Sequence, residues 1–440
     1  MQNLYSQTGF VKLFPEINVQ YPNNFSLINN GIIAIGTKDS SMYIANIDST
    51  NQILWDKKLK CELSSTVGRK LTKSSDTTFI CLGDGNEKIF IAKLTNDGDT
   101  IWTKSYSGII KGRANDLLID SDNNILVCGY TSFSNGYYRY GFMLKLDSKG
   151  DSIYFKNTNE VSEYNSITES SSGYLVAGSI NNNESNKVFI INYNLEGDII
   201  WTKQYGGRYS SDAYSVDKTN DNNFLIAGTI YTAGTFYTQC YILKINQNGD
   251  TIWTKTFGRE YTHDIAYSLK KISDTKYIVV GTQKSVSGSS NKTSGFYSIL
   301  NNDGEIVSTE TYFAKPSDDV AFYSAEMVAD NTYQIFGSQG NNLLLIRTKD
   351  DGGFYNDIKG IEVTIVKIYP NPTTGELKIE SGGLRIDNIE IFDISGRKLL
   401  AHKSTMSLES TVDISYFSAG VYFVKISTEI GELVKKVLKE

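Results

Sequence analysis

The sequence predicts an all-β fold. Among its 440 residues, 29 Tyr and 20 Phe stand beside 37 Gly, with only 5 Pro. This mixture of strand-forming aromatics and turn formers is typical of many short strands joined by tight turns. A second observation is a phrase that recurs about every fifty residues, and a third is that the last eighty or so residues lack it. The sequence therefore predicts a large repetitive β domain followed by a small separate one.

The repeated phrase is a Gly-Asp turn followed by a strand that carries tryptophan, threonine and lysine. It is clearest at residues 98–104, 197–203 and 249–255, with weaker copies at 51–55, 150–154 and 304–307. A second phrase, an apolar run that ends in glycine, occurs seven times, 46 to 56 residues apart, at Gly36, Gly83, Gly129, Gly178, Gly228, Gly281 and Gly337. Such a period is the signature of a β-propeller with one four-stranded blade per repeat. The repeat resembles the Trp-Thr-Lys-type propeller repeats of secreted bacterial and archaeal proteins.

One repeat is enough to place the strands of a blade. Residues 213–216, 223–227 and 240–245 form three alternating runs, and the strand around Trp253 is the fourth. The seventh repeat has no Trp-type strand after residues 350–353, but residues 10–14 match the pattern of 253–257. We expect this N-terminal strand to complete the last blade, because a closed ring leaves no exposed sheet edge. The prediction is a seven-bladed β-propeller over residues 1–348.

The end of the chain reads differently. Residues 349–361 form a polar, glycine-bearing linker, and residues 362–440 hold six or seven short strands, which predict a small Ig-like β-sandwich. Tyr-Pro-Asn-Pro opens this module, Asp-Ile-Ser-Gly-Arg-Lys lies at its middle and Gly-Val-Tyr near its end. This order resembles the type A C-terminal sorting domain of the type IX secretion system of Bacteroidetes. The resemblance assigns the sorting signal to Tyr369, Pro370, Asn371, Pro372, Gly375, Gly396, Gly420, Tyr422, Lys435 and Lys436.

The resemblance implies export. Its expected partner is the type IX secretion machinery, and its expected location is outside the cell or on the outer-membrane surface. A substrate of that system also needs an N-terminal signal peptide, yet residues 1–5 have neither a basic nor an apolar region. No apolar run approaches the ~20 residues of a membrane helix, so no transmembrane segment is predicted.

Composition and motifs exclude several function classes. A net charge of −6 and a pI near 5.3 argue against nucleic acid, which needs a basic surface. Cys61, Cys81, Cys128 and Cys240 form no CxxC pair and read as small buried hydrophobes. The Asp/Asn/Gly clusters lack the spacing of a calcium loop and read as hairpin turns. We therefore expect no metal and no cofactor.

The sequence shows no catalytic motif. His263 and His402 are the two histidines, and neither accompanies HExxH or GxSxG. His263 reads as part of a solvated loop. The protein is therefore not expected to be an enzyme, although a polysaccharide lyase or hydrolase is the alternative, with a passive scaffold as a third interpretation.

Four aspartates stand near the entries to first strands: Asp116, Asp212, Asp264 and Asp319. One interpretation is a set of carboxylates around a channel mouth that holds a cation or polar ligand. The favoured one is structural, with each carboxylate accepting backbone N–H groups and fixing the blade-to-blade register.

The loops that differ most between repeats carry the candidate binding face. Its members come from loops before the first strand and loops between the second and third strands, and they are Arg208, Tyr209, Tyr231, Phe236, Tyr237, Arg259 and Tyr261. In a propeller both loop sets open on one face, and Tyr and Arg are common in binding hot spots. The competing interpretation is that abundant tyrosine falls in loops by chance. The sequence thus predicts a monomer that binds a glycan or a protein.

Overall fold

The computed structural model describes two compact units of the chain. The described residues are 10–18, 24–28, 31–59, 66–85, 88–106, 112–132, 138–181, 185–232, 237–259, 261–286, 292–312, 319–329, 332–349, 367–380, 386–394, 396–407, 409–428 and 431–440. The first unit comprises Met1–Tyr312 and Asp319–Asp357, and the second the remainder. Every regular element among the described residues is a β-strand, which confirms the all-β prediction. Residues 350–361 of the expected linker lie outside the described ranges, so the predicted domain boundaries stay predictions.

The N-terminal unit consists of groups of four antiparallel strands. After β1 (Phe10–Asn18), the first group holds β2 (Phe25–Ile28), β3 (Gly31–Lys38), β4 (Ser41–Asp48) and β5 (Ile53–Leu59). The second holds β6 (Val67–Ser75), β7 (Thr78–Gly85), β8 (Lys88–Thr95) and β9 (Thr100–Tyr106). The third holds β10 (Gly112–Ile119), β11 (Ile125–Ser132), β12 (Arg139–Leu146) and the first part of β13 (Ser152–Glu169). The fourth holds the rest of β13, then β14 (Gly173–Asn181), β15 (Asn186–Asn194) and β16 (Ile199–Tyr205).

The remaining groups follow the same plan. The fifth holds β17 (Ser211–Lys218), β18 (Phe224–Tyr231), β19 (Thr238–Ile245) and β20 (Thr251–Phe257). The sixth holds β21 (Thr262–Lys271), β22 (Lys276–Ser285), β23 (Thr293–Asn301) and β24 (Ile306–Tyr312). The seventh holds β25 (Val320–Ala329), β26 (Thr332–Gln339) and β27 (Asn342–Lys349), with β1 as its fourth strand. One feature escaped the sequence prediction: β13 runs unbroken from the third group into the fourth.

Strand β1 joins the two ends of this unit. It pairs antiparallel with β27, from Phe10 opposite Arg347 to Phe14 opposite Leu343, so the expected strand pairing is confirmed. Phe14 is buried in one apolar cluster with Phe336 of the seventh group and Phe25 of the first. The rings of Phe25 and Phe336 are stacked, with centroids 5.7 Å apart. The last group therefore packs directly on the first.

Consecutive groups pack face to face. Ile80 and Leu82 of the second group, for example, share a buried cluster with Ala114 and Val127 of the third. Equivalent clusters join the first group to the second, the third to the fourth, the fourth to the fifth and the fifth to the sixth. Burial of these faces is the main stabilising contribution, since apolar area removed from water contributes about 25 cal/mol per Å².

The repeated phrase is complementary to itself across neighbouring groups. Trp201 in the fourth strand of one group lies against Gly249 in the turn of the next, and its indole N–H donates to the Gln247 carbonyl at 3.2 Å. The Lys203 ammonium lies 2.8 Å from the Asp250 carboxylate of that turn. Gly249 has a φ of 76°, which glycine tolerates best. The same contact between an aromatic–lysine pair and the turn of the next group recurs along the chain. Trp55 and Lys57 contact Gly98; Trp102 and Lys104 contact Gly150 and Asp151; and Tyr154 and Lys156 contact Gly197 and Asp198.

The C-terminal unit has two sheets. One contains β28 (Lys367–Tyr369), β29 (Glu376–Glu380) and β32 (Glu409–Asp413); the other contains β30 (Ile386–Phe392), β31 (Lys398–Ser407), β33 (Gly420–Thr428) and β34 (Gly431–Lys439). Leu377 and Val412 from the first sheet share a buried cluster with Ile391 and Val424 from the second. The unit is therefore a small two-sheet domain with its own core.

Candidate functional site

A β-bulge recurs at the same place in six of the first strands. In β17, for example, Ala213 and Ser215 pair with consecutive residues of β18, and Tyr214 between them has no partner in the ladder. The bulged residues, called the bulge residues below, are Arg69, Asn115, Asn165, Tyr214, Tyr267 and Tyr323. A bulge of this kind re-aims its side chain, and all six line one cavity. The first group contributes Asn24 and Ser26 to the same cavity.

This central cavity has a volume of about 400 Å³ and is lined by first strands of all seven groups. Its bulge residues are unequally distributed. Groups five, six and seven supply tyrosines, whose rings contact one another: Tyr214 and Tyr267 are 5.5 Å apart and edge to face, and Tyr267 and Tyr323 are 5.9 Å apart. Burial raises the pKa of Tyr214 and of Tyr267, so their hydroxyl groups stay protonated.

Groups two, three and four supply polar bulge residues to the cavity. The side-chain amide of Asn115 donates to the Tyr164 carbonyl at 2.8 Å, and that of Asn165 donates to the Ala213 carbonyl at 2.8 Å. The Arg69 guanidinium donates to both carboxylate oxygens of Asp84 at 3.0 Å. These bonds fix each polar side chain in one orientation. The cavity therefore has an aromatic side and a hydrogen-bonding side.

A second set of cavity residues, one position after each bulge, bridges neighbouring first strands. Asp116 accepts the backbone N–H of Ile167 at 3.1 Å and the Ser166 hydroxyl at 2.9 Å. Ser166 and Ser215 repeat the pattern, accepting backbone N–H groups at 3.2 Å and 3.1 Å from the next group. Burial opposes ionisation of Asp116, but the Lys70 ammonium at 3.0 Å and the hydrogen bonds lower its pKa. This set holds the first strands together.

The four sequence-predicted aspartates do not occupy equivalent positions. Asp116 alone of them lines the central cavity. Asp212 accepts the Asn186 amide at 3.1 Å, whereas Asp264 and Asp319 accept the backbone N–H groups of residues 259 and 293, both at 2.8 Å. The structural interpretation accounts for these contacts, and the carboxylate-channel interpretation does not. Asp264 is fully buried, and burial raises its pKa to about 6.

Three tyrosines of the candidate binding face meet a histidine. Tyr237 lies 5.6 Å from Tyr261 and 6.0 Å from His263, and Tyr231 lies 6.3 Å from His263, between ring centroids. We call Tyr231, Tyr237, Tyr261 and His263 the rim cluster. Sequence reasoning assigned His263 to a solvated loop, which is wrong: it is a half-buried residue of β21 whose Nδ1 lies 3.3 Å from the backbone N of Thr238.

Tyr261 has an unusual backbone. Its φ is 62°, in the left-handed region that bulky residues avoid, and its side chain is 55 % exposed. The Tyr261 carbonyl accepts the backbone N–H of Val286 at 3.0 Å, and the Thr262 hydroxyl donates to the Arg259 carbonyl at 2.9 Å. These contacts hold the backbone of this exposed tyrosine in a conformation that costs of order 1 kcal/mol.

The other residues of the candidate binding face lie outside the rim cluster. Tyr209 is 42 % exposed, and its neighbour Ser210 accepts the backbone N–H of Tyr231 at 2.9 Å, so this loop adjoins the cluster. Arg208 is exposed on the same loop. The Arg259 guanidinium turns to the Thr311 hydroxyl at 3.2 Å. Phe236 lies outside the described residues.

A pocket of about 360 Å³ adjoins both the rim cluster and the central cavity, and we call it the rim pocket. His263 belongs to its wall, and Tyr267 and Tyr323 line both this rim pocket and the cavity. Lys284 and Asp319 add charged groups of opposite sign. The rim pocket is thus concave, partly aromatic and rich in hydrogen-bonding groups.

The first segment of the sorting signal lies beside the last strand of its domain. The Asn371 side-chain amide donates to the Lys436 carbonyl at 3.0 Å and accepts the backbone N–H of Leu438 at 2.9 Å. The Tyr-Pro-Asn-Pro segment, including Pro370 and Pro372, is therefore fastened to the last strand. Lys436 is exposed and Lys435 half-buried there.

The glycines and Tyr422 of the motif shape the rest of the domain. Gly396, with a φ of 80°, forms the turn between β30 and β31. The Gly375 carbonyl accepts the backbone N–H of Ile414 at 2.7 Å. Gly420 begins β33, and the nearby Tyr422 hydroxyl donates to the Ser418 carbonyl at 2.7 Å. Tyr369 ends β28 and donates to Glu380.

Residues 367–440 match the family model of the secretion system C-terminal sorting domain. The resemblance drawn from the sequence is thereby confirmed. This part of the chain is a type IX sorting domain, and the protein is one that is secreted or placed on the outer-membrane surface. No curated protein matches the chain in sequence.

Several solved structures are similar to the chain. PorZ, a surface component of the type IX secretion system of Porphyromonas gingivalis, shares 13% identity at a TM-score of 0.46, covering 95% of this chain and 59% of that one. The Pan2 WD40 domain of Neurospora crassa shares 13% at 0.49, covering 77% and 90%. The extracellular domain of a hybrid two component system from B. thetaiotaomicron shares 10% at 0.50, covering 97% and 56%; this last likeness is one of fold alone.

Two features are absent from the described residues. Among them, no helix is long and apolar enough to span a membrane. Within the same ranges, no group of three or more His, Cys, Asp or Glu side chains is placed to hold a metal ion. The described cysteines, Cys81, Cys128 and Cys240, are buried, as expected of small hydrophobes, and burial raises the pKa of each thiol. Cys61 lies outside the described residues.

Proposed function

We propose that the N-terminal unit is a closed seven-bladed β-propeller that binds a glycan at the cell surface, and that the sorting domain, an Ig-like sandwich, carries it there. Closure is supported by β1, which pairs with β27 and packs Phe14 between the last group and the first. Seven groups of one plan, all contributing first strands to one cavity, support the blade count.

The observation that carries the binding proposal is Tyr261. Backbone strain at an exposed aromatic residue is typical of functional sites, because packing alone would select a residue without the strain. Tyr237 stands edge to face with it, which fixes the orientation of both rings. Tyrosine rings stack on the C–H faces of sugars, and the adjoining rim pocket supplies the charged and hydroxyl groups that bind sugar hydroxyls. A concave pocket favours a glycan over the flat surface of a protein partner.

Replacing Tyr261 by glycine tests this proposal. The variant Tyr261→Gly removes the ring and the left-handed strain together, so we expect loss of binding on a glycan array with no fall in melting temperature. Tyr138→Ala is the matched control, since Tyr138 is equally exposed at 54 % but lies outside the rim cluster. Unchanged glycan binding by Tyr261→Gly, or no binding by the wild-type protein, would refute the proposal.

A further inference from the structure

The central cavity contains chemistry that binding at the rim cluster does not use. Its aromatic side is Tyr214, Tyr267 and Tyr323, and its hydrogen-bonding side includes Asn115 and Asn165. We propose that this cavity is a second binding site, which takes a small neutral sugar of one or two rings. The rim pocket and the cavity share Tyr267 and Tyr323 in their walls, but the two proposals have separate reporter residues: Tyr214 lines the cavity and not the rim pocket, and Tyr261 belongs to the rim cluster only.

The unequal distribution of bulge residues is the first argument. All six bulges have the same backbone irregularity, so packing of the first strands would be served by one residue type throughout. Instead, three consecutive groups carry tyrosine and three consecutive groups carry Arg69, Asn115 and Asn165. An aromatic side and a polar side of one cavity match the two faces of a sugar ring, which offers C–H bonds on its faces and hydroxyls at its edge.

Preorganisation of both sides is the second argument. The tyrosine rings hold one another at 5.5 Å and 5.9 Å, and the Tyr323 hydroxyl lies 3.1 Å from that of Ser338. The Asn115 and Asn165 amides are held by backbone carbonyls at 2.8 Å. A ligand would therefore pay little for ordering these side chains.

Charge and size define the ligand class. The lining holds four cationic side chains, Arg69, Lys70, Arg113 and Lys270, and four carboxylates, Asp116, Glu163, Asp217 and Glu326. The charges balance, and Lys70 is paired with Asp116 at 3.0 Å. This favours a neutral polyhydroxylated ligand over a phosphate or nucleotide. A volume of about 400 Å³ lies near the lower end of the usual range for small-ligand pockets, which limits the ligand to one or two sugar rings.

Saturation-transfer NMR on the full chain tests the proposal. The probes are D-glucose, D-galactose, D-mannose, N-acetyl-D-glucosamine and maltose, with D-glucuronate and inorganic phosphate as anionic comparisons. We expect at least one neutral sugar to bind, and Tyr214→Ala to weaken it at least about tenfold. Tyr214→Phe keeps the ring and should retain most of the affinity. Should Tyr214→Ala not fold, Tyr214→Leu fills similar space without an aromatic face and should show the same loss.

The rim variant separates this proposal from the previous one. Tyr261→Gly should leave binding of the free sugar unchanged, whatever it does to the glycan array. The cavity proposal is overturned if no neutral sugar binds, if only the anions bind, or if Tyr261→Gly abolishes sugar binding while Tyr214→Ala does not. The last result would place the sugar at the rim and leave the glycan-binding function standing.

Discussion

The fourth and first strands of the N-terminal groups use the repeat in different ways. In the fourth strands the same side chains make the same contacts: Trp201 on Gly249 and Lys203 on Asp250 are repeated, with few changes, around the unit. In the first strands the backbone irregularity is repeated but the side chain is not, as Tyr214 and Asn165 show. Repeated residues therefore serve the architecture, and binding chemistry is found where a repeated backbone carries different residues.

Removing strand β1 should have the largest effect on the architecture. Deletion of residues 1–18 removes the buried Phe14 and Ile17 and uncovers the edge of β27. Loss of the phenylalanine side chain alone costs about 3–5 kcal/mol, and an uncovered edge promotes aggregation. We expect a much lower melting temperature and aggregates in size-exclusion chromatography. Lys12→Ala, a half-buried change in the same strand, is the control; equal melting of the deletion variant and wild type would contradict closure.

The bridging set of the first strands should be nearly as sensitive. Asp116→Ala leaves Lys70 without its buried carboxylate and three donors without an acceptor, so we expect a loss of about 3–5 kcal/mol in the free energy of unfolding. Ser215→Ala, which removes one neutral bridge, should cost about 1 kcal/mol. Denaturant unfolding measures both. Similar losses for the two variants would show that the charge pair has no special weight.

Asp264, which precedes the bulge of β21, should make the stability of the protein depend on pH. Its pKa is about 6 in the folded protein against 3.8 in the unfolded chain, so the folded state binds more protons between these values and wild-type stability falls as pH rises. The Asn side chain of Asp264→Asn cannot titrate. The free energy of unfolding of this variant should therefore rise by about 3 kcal/mol relative to wild type as the pH goes from 3.5 to 7. Asp250→Asn should change with the opposite sign, because the hydrogen bond from Lys203 lowers the pKa of Asp250. A pH-independent difference for Asp264→Asn would contradict its raised pKa.

The smallest expected effect concerns the contact between the Trp ring of a fourth strand and the glycine of the next turn, where backbone strain and packing can be measured separately. Gly249 and Gly340 have φ values of 76° and 57°, but a Cβ would meet the Trp201 ring at 2.9 Å in the first and nothing within 4 Å in the second. Gly249→Ala should therefore cost about 1 kcal/mol more than Gly340→Ala. Thermal unfolding of both variants measures the difference, and equal costs would show that the Trp–Gly contact adds nothing.

Much of this fold was legible in the sequence because the repeat is periodic. The fourth strands, the hairpin turns and the pairing of residues 10–14 followed from matching phrases such as the one at 249–255. The bulges did not, because each one breaks the apolar alternation only once in a short strand, as between Ala213 and Val216, which stand three residues apart. The continuous β13 was missed for a different reason: the sequence around residues 157–161 looks like any connection between blades.

The sequence also did not show which side chains the fold brings together. The rim tyrosines were found because their loops differ between repeats, but His263 joins them only through the fold. The sequence analysis placed Tyr214 in a first strand without a role and did not single out Tyr267, although comparing that one position across repeats shows the change from Arg or Asn to Tyr. Trp253 is half-buried against Gly304, so its truncation should cost less than the truncation of a core aromatic.

One pair of variants tests the division between outer and inner strands most directly. Calorimetric melting and sugar titration are measured on Trp201→Ala and Tyr214→Ala in the full chain. Trp201→Ala should lower the melting temperature, losing about 2–3 kcal/mol, and bind sugar as wild type does; Tyr214→Ala should lose binding with a smaller change in melting. If Trp201→Ala weakens sugar binding as much as Tyr214→Ala does, or if Tyr214→Ala is the more destabilised of the two and binds normally, the division is wrong.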